Sequence, residues 1–245
     1  MKILIVEDEA ALSTGLKFNF EQEGYEAVIA EDGRTALQRF TQAETPFDLI
    51  VLDLMLPGMS GYEICEAIRE VNRQVPILVL SARTLSQDKA QAFDCGSDQY
   101  MTKPFALPEL LSRVRNLLER HPANHHVDPS KPEKRPETFD FGDVRVDFSK
   151  HTVTVAGRTY SPTTLEMQLL RHFSENEGHV LSRHEILQDV WPEDADVTTR
   201  TIDNFVMRLR RLIETNPAQP RHILSVRGTG YRFVANPDAP DEDRS

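Results

Sequence analysis

The 245 residues suit one large domain or two small ones, and with 39% hydrophobic and 27% charged residues a buried core is expected and wholesale disorder excluded. No run of about 18 apolar residues occurs, so no transmembrane helix is expected, and the apolar stretch 2–6, which meets Glu7-Asp8-Glu9 at once, is too short for a signal peptide. Two cysteines, Cys65 and Cys95, make neither a disulfide framework nor a zinc knuckle, and the expectation is a soluble cytoplasmic protein without a membrane partner.

In chain order, apolar runs at 2–6, 25–30, 48–53, 76–81 and 99–102 alternate with helical spacings. These are Leu12, Leu16, Phe20; then Ala36, Leu37, Phe40; then Ile64, Ile68, Val71; and finally Leu110, Leu111, Val114, Leu117, Leu118. Strand–helix alternation, with uninterrupted runs such as Leu49-Ile50-Val51-Leu52, predicts an α/β unit over 1–120. Its expected form is a doubly wound, flavodoxin-like, five-stranded parallel sheet covered on both faces. Residues 121–136 read HPANHHVDPSKPEKRP, a proline-rich linker, and His121, His125 and His126 within it lack the Cys or carboxylate neighbours of a metal site. From 137 to 236 the pattern is α+β. Val144, Val146 and Phe148 alternate, as do Val153 and Val155 before the turn at Gly157. Helices are expected at 164–176, 182–191 and about 199–214, with Trp191 in the core, and a hairpin at 222–226 and 231–234 around Arg227-Gly228-Thr229-Gly230. The tail 237–245 is polar and acidic and is expected to fray.

The net charge of −11 is unevenly spread. Residues 1–120 carry −7, but 200–232 holds seven arginines against Asp203 and Glu214, a local +5. A polyanion responds to such a stripe more than to the whole-chain sum.

In an open parallel sheet, ligands bind outside the carboxyl ends of the strands. There stand Glu7, Asp8 and Glu9, then Asp53, Ser81, and Lys103-Pro104. Clustered carboxylates repel one another unless a cation is present, and a hard divalent ion with oxygen ligands, Mg2+, resolves that cost. Lys103 then serves as a point charge for a phosphoryl oxygen, Ser81 as a hydrogen-bond donor, and Asp53 as the nucleophile that becomes an aspartyl phosphate.

In the second half, Ile202, Phe205, Val206, Leu209, Leu212 and Ile213 share one helix face at 100° per residue, with Arg200, Asn204, Met207, Arg208 and Arg211 on the other. Arginine suits guanine and asparagine suits adenine in a major groove, and Arg227 at the hairpin tip suits a minor groove.

These residues carry a resemblance. Val6-Glu7-Asp8-Glu9, the run Leu52-Asp53-Leu54-Met55-Leu56-Pro57-Gly58, Ser81-Ala82-Arg83 and Tyr100-Met101-Thr102-Lys103-Pro104-Phe105 resemble the receiver domain of a two-component response regulator. Glu166-Met167-Gln168-Leu169-Leu170, Arg200-Thr201-Ile202-Asp203 and Val226-Arg227-Gly228-Thr229-Gly230-Tyr231 resemble the winged-helix effector of the OmpR/PhoB family. The resemblance implies a phosphorylation-activated, DNA-binding transcription regulator rather than an enzyme with a separate substrate. Asp53 would take its phosphoryl group from a sensor histidine kinase. Mg2+ would sit on Glu7, Asp8, Asp53 and the Met55 carbonyl. Ser81 and Tyr100 would form the switch pair, and Lys103–Pro104 would be cis. Lys89 with Glu109, and Asp98 with Arg113, would form an ion-paired homodimer on activation. Gln99 departs from the usual acidic residue. Arg200, Thr201, Asn204, Arg208, Arg211 and Arg227 would contact double-stranded promoter DNA, with RNA polymerase a further candidate partner.

Two alternatives differ in class. A magnesium-dependent phosphatase on a similar sheet would carry an acid two residues after its nucleophile, where this chain has Met55, which has no proton to give. A constitutive DNA-binding protein with a silent receiver is opposed by the intact Asp53, Lys103 and Tyr100.

Overall fold

In a computed structural model, residues 1–120, 137–191 and 199–237 are described, with the side chains of Arg120 and Arg200 outside that description. The linker with its three histidines, and the tail beyond Pro237, lie outside the described residues. The chain divides into two compact units, one ending and the other beginning between Arg120 and Glu137. Among the described residues no helix is long and apolar enough to cross a membrane.

The first unit runs β1 (Lys2–Val6), α1 (Ala10–Gln22), β2 (Glu26–Ala30), α2 (Gly33–Thr41), β3 (Leu49–Asp53), α3 (Gly61–Val71), β4 (Ile77–Ser81), α4 (Ser86–Asp94), β5 (Gln99–Thr102) and α5 (Leu107–Arg120). The five strands form one parallel sheet in the order β2-β1-β3-β4-β5. β3 and β4 are buried at every residue, as their unbroken apolar runs require of strands covered on both faces. Leu110, Val114, Leu117 and Leu118 of α5 pack with Leu16 and Phe20 of α1 against Ile3, Ile5, Val51, Leu78 and Leu80. The chain reverses direction across the sheet beside β1 and β3, so the crevice for a ligand opens at their carboxyl ends.

The second unit opens with an antiparallel meander, β6 (Thr138–Phe141), β7 (Val144–Asp147), β8 (Thr152–Val155) and β9 (Arg158–Tyr160). It continues with α6 (Thr164–Glu175), β10 (Val180–Ser182), α7 (Arg183–Val190), α8 (Thr199–Ile213), β11 (Ile223–Val226) and β12 (Gly230–Phe233). β12 is the centre of a three-stranded antiparallel sheet with β10 and β11. Thr163 and Ser182 start α6 and α7 with capping boxes closed by Glu166 and Glu185. Phe141 meets Phe233 edge to face at 5.1 Å in the core, and Trp191 meets Phe205 in the same way at 5.0 Å.

Elements read from the sequence agree with these bounds to within a residue. β6, β9 and β10 were not anticipated. β9 is exposed throughout and β10 is three residues long, so neither presents the alternation by which a strand is recognised.

Candidate functional site

Neighbouring β1 and β3 bring Glu7 and Asp8, just past β1, beside Asp53 at the end of β3. Glu7 and Asp53 are buried and Asp8 is exposed. One oxygen from each lies within 4.8 Å of the others. Lys103, just past β5, donates its backbone N–H to the Ser81 carbonyl at 2.8 Å. Its ammonium donates to Glu7 Oε2 at 2.7 Å and Asp53 Oδ2 at 2.5 Å. Asp53 Oδ1 accepts the Met55 N–H at 2.9 Å. The Lys103–Pro104 peptide is cis.

The electrostatics follow from burial. Desolvation pushes the Glu7 carboxyl above its ordinary range, and Asp53 adds to this against the pull of Lys103. Burial works against the charge on Lys103, but its hydrogen bonds to Asp53 and Glu7 more than offset that and raise its pKa. Three carboxylates and one ammonium leave the cluster negative. All-oxygen donors, two of them already desolvated, fit a hard divalent cation. The loop that carries Asp53 has no slack. Gly61, first in α3, packs so closely that a Cβ there would collide with the Asp53 carbonyl, and Ser60 fixes the helix start by a capping box with Glu63.

Ser81 is fully buried, and its Oγ accepts the Arg83 N–H at 3.2 Å. The Tyr100 ring lies inside, and its hydroxyl donates to the Arg83 carbonyl at 2.8 Å. Burial raises the pKa of that hydroxyl. Arg83 in turn pairs with Asp88 at 2.9 Å, whose carbonyl accepts the Tyr62 hydroxyl at 3.3 Å. This link from Ser81 and Tyr100 through Arg83 to α3 and α4 has no signal in the sequence, because no periodicity encodes it.

The four residues assigned to an association face are not equivalent. Lys89, Glu109 and Arg113 line a groove of about 280 Å3 with Tyr100, and Arg113 pairs with Glu109 one turn away at 2.9 Å. Asp98 lies inside the unit. Only 2% exposed, it accepts Arg69 Nη2 and the Ile77 N–H, each at 2.8 Å. A carboxylate removed from water takes a buried cation within reach, and Arg69 supplies it here. Arg69 also donates to the carbonyls of Gly96, Asn72 and Val75. Its signal was legible: it falls one residue after Ile68 and four after Cys65, on the buried stripe of α3.

On α8, Ile202, Phe205, Val206, Leu209 and Ile213 are buried. Asn204 is partly exposed, while Met207 and Arg211 are exposed on the opposite face, and Arg227 is exposed in the turn before β12. The Arg200 side chain lies outside the described residues. Thr201 is a correction. It is fully buried, because one residue before Ile202 and four before Phe205 it shares their side of the helix. Arg208 is drawn back: its guanidinium lies 3.8 Å over the Phe205 ring and 3.4 Å from Glu166 Oε1 on α6. Arg210 ties α8 to β11 through the Ile223 carbonyl and the Ser225 hydroxyl. Asp203 Oδ1 accepts Arg183 Nε at 2.8 Å and the Tyr231 hydroxyl at 2.6 Å, joining α7, α8 and β12. Burial, aided by Asp203, pushes that hydroxyl up to about 12. Gly230 lets the hairpin close on β10, since a Cβ there would collide with the Leu181 carbonyl.

The family model for the response regulator receiver domain matches residues 3–115, and that for the C-terminal part of transcriptional regulatory proteins matches 157–233. The sensory transduction protein RegX3 of Mycobacterium tuberculosis is 39% identical over 231 residues, covering 94% of this chain and 98% of that protein. The alkaline phosphatase synthesis transcriptional regulatory protein PhoP of Bacillus subtilis is 35% identical over 232 residues, covering 95% and 96%. A C128D mutant of RitR, 24% identical, superposes with a TM-score of 0.69 over 95% of this chain and 98% of its own, which bears on the fold alone.

Proposed function

The chain belongs to the OmpR/PhoB family of response regulators, transcription regulators whose DNA binding depends on phosphorylation, and from that premise we propose that Asp53 is its phosphoacceptor. The observation that carries the reading is the Lys103 ammonium shared between buried Glu7 and Asp53, with Asp8 on the solvent side.

One oxygen of the Asp53 carboxylate attacks the phosphorus of a kinase phosphohistidine. The phosphorus–nitrogen bond breaks, and its electron pair stays on the imidazole nitrogen. Lys103 already lies against Asp53 Oδ2 and supplies positive charge for a phosphoryl oxygen. Glu7 holds that ammonium from its other side. A magnesium ion on Glu7, Asp8, Asp53 and the Met55 carbonyl would add charge stabilisation at the same place. Met55 cannot take a proton from an attacking water, so hydrolysis is slow and the chain turns over no separate substrate.

The phosphoryl group, with a charge of about −1.5 to −2 in place of the single charge of the carboxylate, biases the Ser81–Tyr100 pair and, through Arg83, the surface of α4, β5 and α5. Lys89, Glu109 and Arg113 form the homodimer face there. In the second unit α8 enters the major groove with Arg200, Asn204 and Arg211, and Arg227 reaches a minor groove. RNA polymerase is the further partner at a promoter.

Sedimentation of the full-length protein in Mg2+, with and without a small acyl phosphate, tests the reading. A donor-dependent shift to dimer, absent in Asp53→Asn, is expected. Equal stimulation of Asp53→Asn overturns it.

A further inference from the structure

We propose that Met207 is a specificity-determining residue that reads a thymine C5-methyl group, a proposal that rests on α8 being the helix in the major groove. Met207 is 41% exposed, three residues after Asn204 and four before Arg211, so the three side chains lie on successive turns of one face. The neighbouring Arg208 is drawn to Glu166 and Phe205, and Phe205 itself is buried against Trp191. The outward ridge of α8 therefore runs amide, thioether, guanidinium.

Each member of that ridge has a chemically distinct counterpart. Base edges in the major groove offer hydrogen-bonding atoms almost everywhere, and the thymine methyl is their one apolar projection. Asparagine matches adenine and arginine matches guanine. A thioether has nothing to offer a phosphate oxygen, so on this face it gains free energy only by covering a methyl group. Methionine suits the task because its unbranched, flexible chain fits its sulfur and terminal methyl to an apolar surface of irregular shape.

The test uses a duplex enriched from a random-sequence pool by the full-length protein in Mg2+ and acetyl phosphate. Each thymine is replaced in turn by deoxyuridine, which lacks only the C5-methyl. At one or two positions the wild type is expected to lose about fourfold in affinity, the value of one buried methyl-sized group. Met207→Gln keeps the side-chain length at an exposed site, and it should bind the thymine and uracil duplexes equally at those positions. Indifference of the wild type to every replacement, or the same loss in Met207→Gln, overturns the proposal. Asn204→Ala and Arg211→Ala separate the two levels. If both weaken binding and no methyl is sensed, Met207 alone is wrong; if neither weakens binding, the placement of α8 in the groove fails and the proposal fails with it.

Discussion

Glu7 and Asp53 are buried and share the half-buried Lys103 ammonium, whereas Met207, Arg211 and Arg227 stand in solvent on a unit in which Arg208 and Arg210 are turned inward. The difference matches the work proposed for each region. A group that is to attack phosphorus must be held in place and stripped of water, so its charge has to be balanced by immediate neighbours. A surface that meets a polyanion must leave its cations accessible. The local +5 of 200–232 therefore overstates the charge facing DNA, because Arg208 is engaged with Glu166 and Arg210 with the Ile223 carbonyl.

The same contrast explains what was legible in the sequence. A strand buried on both faces declares its end, and the end of such a strand is the rim, so Asp53, Ser81 and Lys103 could be placed together from apolar runs alone. A helix declares its faces but not its tethers. Periodicity put Arg208 outward, and only the contact with Glu166, 42 positions earlier, draws it back. Thr201 sits at the border of the apolar stripe, where a single residue's angle decides burial. The burial of Asp98 escapes periodicity for a related reason: its partner Arg69 lies on α3, 29 positions away.

The sharpest way to test the contrast is to remove a charge that the structure places inside. Asp98→Ala withdraws the carboxylate from Arg69 and from the Ile77 N–H, and breaking such a buried pair costs about 3–5 kcal/mol. A large fall in the urea midpoint of the first unit is expected. Unchanged stability with loss of donor-induced association would place the main role of Asp98 in the proposed dimer face. A smaller effect is expected on α8. Arg208→Met keeps most of the stem but leaves buried Glu166 without that cation, at a cost of about 1–3 kcal/mol, visible as a lowered melting temperature of the second unit.

Arg211→Ala should do the reverse. The side chain is exposed, so stability should stay within about 0.5 kcal/mol of wild type. The change belongs to DNA binding, and its form identifies the contact. A lost phosphate contact makes the plot of log affinity against log salt shallower by about 0.9 and weakens all sequences alike. A lost guanine contact leaves most of that slope in place and costs about 1–3 kcal/mol at one base pair only. Arg208→Met, by contrast, should leave the slope unaltered, because its guanidinium is engaged by Glu166 before DNA arrives. If the two variants exchange roles, with Arg208 setting the slope and Arg211 the stability, then the Glu166 tether opens on DNA, and the inward and outward arginines of α8 are two states of one surface.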